Sequence, residues 1–177
     1  MAFSSNPIIQ GSDLMLFIGT GENKKSIGFA TNHTFEISVE MLENASKDHS
    51  SGAWAGSIPK KKSWTVSSEN LFANSAEGVT FAELVDYMNN DTALTAEFTI
   101  SAGGAQTADA YGIVVPTGGW NPSTASGTTA LQGSVYINSL SANAQNGEIA
   151  TFTVNFTGTG PLSVVTYPVA NPGIEQH

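Results

Sequence analysis

Residues 131–162 constrain the fold most, because apolar and polar side chains alternate along both arms of this stretch. The alternating apolar residues are Val135, Ile137, Ala150, Phe152, Val154 and Phe156. A period of two gives a strand one apolar face and one polar face. Between the arms, Asn146-Gly147 favours a turn because both residues tolerate positive φ. The stretch predicts a β-hairpin, and we expect Gly158-Thr159-Gly160-Pro161 to end its second strand.

The composition indicates a single domain with little charge on its surface. At 177 residues the chain is long enough to bury a substantial core. Only 12% of the residues are charged, which is about half of the usual share. Because so few side chains solvate the surface strongly, we expect further copies of the chain to cover much of it.

The distribution of charge argues against specific nucleic-acid binding. The chain has no arginine, and its six lysines all lie at or before Lys62. Nine acidic residues and no basic residue follow Lys62. Contacts that hold phosphate need cationic side chains. We therefore expect that nucleic acid can pass this protein but is not bound by it.

Two classes of protein are not expected from the sequence. The absence of cysteine excludes disulfides, thiolate metal sites and thiol nucleophiles. The first residues lack the basic and apolar regions of a signal peptide. No apolar run approaches the ~18 residues of a membrane span. We expect neither secretion nor membrane insertion.

The rest of the chain predicts further strands and one helix between two extended arms. We expect strands at 13–18, from Ile27, at 33–41, at 63–68 and at 94–101, and a long excursion at 103–129 with a short strand at 111–115. Thr80 and Glu83 form a capping box that starts a helix over 80–90. Its apolar stripe contains Phe81, Leu84, Val85 and Met88. The predicted organisation is an N-terminal arm (1–10), a mainly β domain (11–162) and a C-terminal arm (163–177).

Residues 42–59 form a long polar loop with Trp54 near its centre. Loops of this length usually have a function, and an exposed tryptophan is typical of a contact surface. The alternative is that Trp54 folds back onto its own core. We expect this loop and the two arms to make contacts between subunits or rings. The expected contact residues are Pro7, Ile8, Ile9, His49, Trp54, Ile58, Lys60, Lys61, Val164 and Val165.

No catalytic, metal-binding or cofactor-binding pattern is found. The three histidines, His33, His49 and His177, are not spaced as metal ligands, and none has the partners of a catalytic triad. Residues 19–26 lack the glycine that precedes Lys-Ser/Thr in a phosphate loop. We expect no enzymatic activity, no metal and no cofactor.

Four elements together resemble the major tail tube proteins of long-tailed (siphovirus-like) bacteriophages, in their lactococcal-phage type. The first two are the opening strand Gly11-Ser12-Asp13-Leu14-Met15-Leu16-Phe17 and the segment from Pro59 through Trp64 to Leu71-Phe72. The others are the Phe81-Ala82-Glu83-Leu84 helix and residues 133–162. The resemblance covers nearly the whole chain, but the excursion at 103–129 departs from a minimal member.

The resemblance implies a β-sandwich or barrel-like tail tube fold with one flanking helix, in a structural virion protein. Members form hexameric rings that stack into a tube around the tape-measure protein, and later around DNA during its ejection into the host. The implied partners are further copies of the chain, the tape-measure protein, and the tail terminator and distal tail proteins. Assembly is expected in the bacterial host cytoplasm.

The strand at 33–41 suggests which side chains line the channel of such a tube. We expect Phe35, Ile37 and Val39 to pack inward against Phe81, Leu84 and Met88 of the helix. The alternate residues Glu36, Ser38 and Glu40 would then face the channel, where carboxylates would repel phosphate. The alternative is that these three residues lie on the exterior of the tube.

Two other functions remain open from the sequence. One is the inner tube of a contractile phage tail or injection machine, which shares the fold. The other is a β-sandwich adhesin or carbohydrate-binding module, in which Trp54 and Trp120 would form aromatic platforms. An adhesin would be exported, and we expect no export signal here.

Overall fold

The computed structural model of the chain describes residues 9–19, 23–27, 29–43, 56–73, 78–102, 106–108, 114–116, 119–125 and 127–167. After a 3-10 turn at Gly11–Asp13, the strands are β1 (Leu14–Ile18), β2 (Lys25–Ser26), β3 (Ala30–Glu43), β4 (Ser57–Leu71), β5 (Leu94–Ala102), β6 (Gln106–Ala108), β7 (Val114–Pro116), β8 (Asn121–Pro122), β9 (Thr129–Asn143) and β10 (Thr151–Thr166). The helix α1 spans Phe81–Asn89. The predicted mainly β fold with one helix is confirmed.

Most of the strands form one antiparallel sheet that folds over on itself. Its order is β2-β1-β5-β9-β10-β4-β3, with β8 beside β5, whereas β6 pairs with β7. In a flat sheet, the four steps from β5 to β3 would span about 19 Å. Phe35 of β3 nevertheless stacks on Phe98 of β5 with 5.9 Å between ring centroids. The sheet therefore forms two facing layers, as in a sandwich. It is not a barrel, because in the described part of the chain its end strands β2 and β3 do not pair.

The predicted central hairpin is confirmed. β9 and β10 pair in antiparallel register from Thr151 with Asn143 to Thr166 with Thr129. Gly147 in the turn has a φ of 88°, a conformation that favours glycine. The predicted apolar face of β10 is buried at Phe152, Val154 and Phe156.

The predicted end of the hairpin is wrong. β10 does not stop at residues 158–161 but continues to Thr166, across a register shift between Thr159 and Ser163. Gly160 has a φ of 74° within this shift. A bulge therefore absorbs the glycine-proline segment, and the strand pairs again beyond it. Residues 163–166, which we expected in the C-terminal arm, lie in the sheet.

Trp64 of β4 packs where β10 makes this irregularity. Its indole lies against Gly133 and Gly158, and its Nε1 donates a hydrogen bond to the Gly160 carbonyl oxygen at 3.3 Å. A Cβ at Gly158 would come within 2.1 Å of the indole ring. The glycines are therefore needed to make room for Trp64 in the core.

The helix begins at the predicted capping box. The Thr80 Oγ1 accepts from the Glu83 N–H at 3.3 Å, while a Glu83 carboxylate oxygen accepts from the Thr80 N–H at 2.8 Å. α1 packs over β9 and buries Leu84 in the core. Met88 at the other end of the predicted stripe is exposed.

Other boundaries differ from the prediction. β2 precedes Ile27, which instead forms an isolated bridge to Val79. β4 extends well beyond 63–68 in both directions, so both ends of the predicted 42–59 loop are strand. In the excursion, β7 (Val114–Pro116) overlaps the end of the strand predicted at 111–115, whose first residues, like all of 109–113, lie outside the described residues.

Candidate assembly surfaces

The hairpin of β3 and β4 extends past the rest of the sheet. β4 pairs with β10 only through residues 65–71, whereas it pairs with β3 down to Ser57 opposite Glu43. Residues 37–43 and 57–64 therefore form a two-stranded projection, which we call the ribbon. Alternation along β3 puts one apolar and one polar face on the ribbon.

The apolar face of the ribbon is bare, and this corrects a prediction. Ile37, Val39 and Met41 are 55%, 41% and 54% exposed, so Ile37 and Val39 do not pack against the helix. The reason is that α1 packs over β9, which lies three strands away from β3 in the sheet. Phe35 does reach the core, where it stacks between Trp64 and Phe98.

The polar face of β3 carries Glu36, Ser38 and Glu40, all of them exposed. Ser38 Oγ lies 2.8 Å from Ser63 Oγ, and Lys60 Nζ donates to Glu40 Oε1 at 3.0 Å. Pairing registers continue this face across the neighbouring strands. The additional residues are Thr65, Ser67 and Glu69 of β4, Thr153, Asn155 and Thr157 of β10, and Ser139 and Ser141 of β9. The face is therefore rich in hydroxyl groups, and Lys61, the register partner of Glu40, also lies on it.

The sheet that contains the ribbon has two open edges. β3 has β4 as its only neighbour among the described strands. On the opposite side, β5 pairs with β9 only over residues 131–135. Residues 136–143 of β9 therefore have β10 on one side and no described strand on the other. Open edges present unpaired backbone N–H and C=O groups to a further strand.

The structure places the predicted contact residues in several regions. Ile58, Lys60 and Lys61 are exposed on the ribbon. Ile9 is exposed just before the 3-10 turn, and Val164 is exposed on β10 beside the half-buried Val165. Pro7, Ile8, His49 and Trp54 lie outside the described residues.

One charged cluster was missed by the sequence analysis. Lys24 forms an ion pair with the buried Glu97, whose other carboxylate oxygen accepts from the Tyr167 hydroxyl at 2.9 Å. Burial lowers the pKa of Lys24, but the hydrogen bond and charge of Glu97 outweigh this effect and leave the pKa raised. The cluster ties the end of β10 to β5. Glu97 alternates with apolar residues like an exposed strand position, so no local signal distinguishes it.

His33 lies on the core-facing side of β3. Its ring meets Phe98 edge to face at 6.4 Å, and neither ring nitrogen has a hydrogen-bond partner among the described residues. Burial lowers the pKa of His33 to about 4. The histidine is therefore neutral near pH 7 and acts as a packing residue.

The described residues contain no group of three or more His, Cys, Asp or Glu side chains arranged to hold a metal ion. None of their helices is long and apolar enough to span a membrane.

A sandwich with a bare ribbon and two open sheet edges is typical of a structural subunit that other subunits complete. The family model for the phage tail tube protein matches residues 8–164. The chain therefore belongs to the phage tail tube protein family, whose members are structural proteins of the virion tail. No curated protein sequence matches the chain.

Solved structures share this fold at low sequence identity. A chain from the tail of an empty gene transfer agent (GTA) particle, refined with C6 symmetry, matches with a TM-score of 0.63 and 16% identity, over 90% of this chain and 100% of that chain. The SPP1 tail tube matches with a TM-score of 0.61 and 9% identity, over 91% and 81%. A chain of the sheath–tube complex of an extracellular contractile injection system matches with a TM-score of 0.52 and 13% identity, over 92% and 93%.

Proposed function

We propose that this chain assembles into hexameric rings, and that the rings stack into the tail tube through which DNA is ejected into the host cell. The observation that carries the proposal is the pair of open edges on one sheet, β3 on one side and residues 136–143 of β9 on the other. Each copy can then add its sheet to that of the next copy.

A contact between β3 of one copy and β9 of the next joins two different surfaces. Such heterologous contacts close into a ring when the rotation between copies divides a full turn. Every junction adds backbone hydrogen bonds between strands and covers edges that would otherwise promote aggregation. The number six is supported by the C6 symmetry of the similar GTA tail.

The bare face of the ribbon supports the same proposal. Ile37, Val39 and Met41 lie on the side of β3 that faces the core further along the strand. Burying apolar surface yields about 25 cal/mol per Å². We infer that a neighbouring copy covers this face in the ring, because nothing in the described part of the same chain does so.

We propose that the polar face of the same sheet lines the channel, with Glu36, Ser38 and Glu40 among its lining residues. If the apolar face meets protein, the polar face is left for water. Its carboxylates repel the DNA backbone over about 8 Å at physiological salt. Its hydroxyl groups keep the wall wet, and its cations Lys60 and Lys61 lie beside Glu40, whose carboxylate offsets their attraction for phosphate.

The Glu36→Lys, Glu40→Lys double variant tests the lining. Tubes should still form, but DNA ejection should slow, and more so at low salt, because lysines release counterions when they bind phosphate. The matched control is Glu36→Gln, Glu40→Gln, which removes the charge without inverting it. A tube structure with both carboxylates on the exterior would refute this assignment.

The proposed partners follow from the tube. They are other copies of this chain, the tape-measure protein, and the terminator and distal tail proteins at the two ends. DNA passes without specific binding, and the rings assemble in the host cytoplasm. We assign the chain to the lactococcal-phage type on the order of its four motifs, from the Gly11–Phe17 strand to residues 133–162. No enzymatic activity is proposed for this structural role.

The loop at 44–55 and the terminal arms are proposed as additional contacts between subunits or rings. In sequence the loop connects the two strands of the ribbon, whose last register pair is Glu43 with Ser57. Deleting residues 45–56 should leave the domain folded but abolish tubes. Normal tube formation by this variant would show that the loop is not needed for assembly.

Microscopy of the purified protein tests the proposal directly. Light scattering and negative-stain images over a concentration range should show rings, and tubes when the tape-measure protein is added. A protein that stays monomeric at high concentration and with this partner would overturn the proposal. The inner tube of a contractile system is the second candidate, favoured by the likeness to a chain of an injection system's sheath–tube complex. Binding of a sheath protein along the tube exterior would identify that function.

A further inference from the structure

Exposed apolar side chains mark both ends of the sheet that contains the ribbon. At the free end of the ribbon, Leu42 and Ile58 are register partners and are 55% and 51% exposed. We call these two residues the tip. At the opposite end, Phe72 follows β4 and Ile149 precedes β10, with exposures of 45% and 71%. We call Phe72 and Ile149 the foot.

The foot is a preorganised surface. The Phe72 N–H donates to the Ala150 carbonyl oxygen at 2.8 Å, so the backbones on either side of the foot are joined. The Phe72 ring packs against Phe81 and Phe152 with centroids 5.1 and 5.6 Å away. Aromatic anchors held by the core lose little conformational entropy when a partner binds.

Tip and foot cannot meet within one copy. The fourteen residue steps of β4 from Ile58 to Phe72 span about 46 Å at the rise of a strand. Because the two sites lie at opposite ends of one strand, copies stacked in the same direction bring the tip of one to the foot of the next. Head-to-tail contacts of this kind generate an open-ended filament.

The charges beside the two sites are complementary. Near the tip, Lys60, Lys61 and Lys62 outnumber Glu40 and Glu43, and Lys60 is already paired with Glu40. Near the foot, Glu148 adjoins Ile149 and Glu69 lies close to the end of β4, both exposed. Opposite charges around an apolar contact favour the correct register and disfavour tip-to-tip and foot-to-foot pairing.

We propose that the foot is the docking site for the tip of a second copy in the adjacent ring. The inference rests on the proposed tube and adds the surface on which rings stack. Leu42 and Ile58 pack on Phe72 and Ile149, while Lys61, which shares their face of the ribbon, faces the carboxylates of Glu148 and Glu69. The axial repeat of the tube is then no longer than the ~46 Å of strand that separates the two sites.

Cross-linking tests the contact cleanly, because the chain has no cysteine. Ile58→Cys and Ile149→Cys are made in separate chains, mixed, assembled and treated with a short bis-maleimide. The mixture should give cross-linked dimers on denaturing gels, and the double variant should give a ladder of multimers. The control pairs Ile58→Cys with Met88→Cys, an exposed apolar position on α1 that should not cross-link.

The outcomes separate this inference from the proposed function. Tubes that form without the tip-to-foot cross-link overturn the docking site but leave the tube intact. Cross-links from the control pair in place of the test pair also overturn it. Failure of the wild-type chain to form tubes under any condition overturns both.

A charge exchange provides a second readout. Glu148→Lys should raise the concentration needed for tube formation by about tenfold, and Lys61→Glu should act similarly, because each places like charges together. The double variant restores opposite charges and should recover much of the loss. Equal assembly of all three variants would contradict the proposed register, and so would a double variant no better than the worse single variant.

Discussion

The two long hairpins of this protein have the same alternation but opposite burial. In β10, Phe152, Val154 and Phe156 are buried in the core. In β3, Ile37, Val39 and Met41 follow the same period and remain exposed. β10 lies between β9 and β4, and the facing layer of the sandwich covers its apolar face. The ribbon extends beyond that layer, so its apolar face is left uncovered. The period of a strand therefore identifies an apolar face but not the chain that covers that face.

This difference separates the folding of the subunit from its assembly. The β9–β10 hairpin should determine the free energy of unfolding of one copy. The ribbon should contribute little to that free energy but much to association. Substitutions on matching faces of the two hairpins can test whether the separation holds.

The largest expected effect is that of Phe156→Ala. Phe156 is 1% exposed, and replacing a buried phenylalanine with alanine costs about 3–5 kcal/mol because it leaves a cavity. Urea denaturation of the monomer should show the free energy of unfolding falling by this amount. Thr157→Ala, on the exposed face of the same strand, is the control and should have little effect. A small loss at Phe156 would contradict the assignment of this hairpin to the core.

The next effect concerns Gly158, at the junction of the two hairpins. Gly158→Ala places a Cβ where the Trp64 indole now lies, and overpacking typically costs about 1–3 kcal/mol. Trp64 fluorescence should shift as the indole is displaced. Gly11→Ala is the matched control, because nothing lies within 4 Å of a Cβ there. An unchanged midpoint of urea denaturation for Gly158→Ala would show that the indole can move without a loss of stability.

Local patterns predicted much of the fold. Asn146-Gly147 gave the turn of the central hairpin, and the Thr80–Glu83 capping box gave the start of the helix, because both signals lie within a few residues. The continuation of β10 past Gly160 was missed, since pairing with β9 on the far side of the bulge is a long-range effect. Glu97 was missed for the same reason, because its partners Lys24 and Tyr167 are distant in sequence.

The candidate surfaces were only partly predictable. Alternation separated Glu36, Ser38 and Glu40 from Ile37 and Val39 correctly, so the two faces were known. What covers each face could not be predicted, because the helix packs over β9 and leaves the ribbon uncovered. Where a sheet ends relative to its neighbours depends on strand registers, which one sequence does not specify.

A smaller, pH-dependent effect on the free energy of unfolding is expected from His33. This residue lies on the same face of β3 as Ile37, at the end of the strand where that face is buried. Its folded-state pKa of about 4 lies below the value of about 6.5 that is usual for histidine, so between these values the unfolded chain binds a proton that the folded chain excludes. Stability should therefore fall as the pH decreases from about 6.5 to 4, by about 1–3 kcal/mol. Denaturation of the wild type and of His33→Phe across this range checks it. An equal pH dependence in both proteins would assign the effect to other groups.

The smallest effect on a single copy is expected on the ribbon. Ile37 is already 55% exposed, so Ile37→Ser should change the free energy of unfolding of the monomer by about 1 kcal/mol or less. In the ring the same side chain is proposed to be covered by a neighbouring copy. Its loss should then raise the concentration needed for assembly by about tenfold, since 1.4 kcal/mol per interface corresponds to a factor of ten.

The control for this last variant is Ser38→Ala, one residue further along β3 on the polar face. It removes the hydroxyl contact with Ser63 but leaves the apolar face intact, so assembly should be retained. Monomer stability is measured by urea denaturation below the assembly concentration, and assembly by light scattering. If Ile37→Ser unfolds as readily as Phe156→Ala, the ribbon belongs to the folding core. If it assembles like the wild type, the bare face is not the surface that a second copy covers.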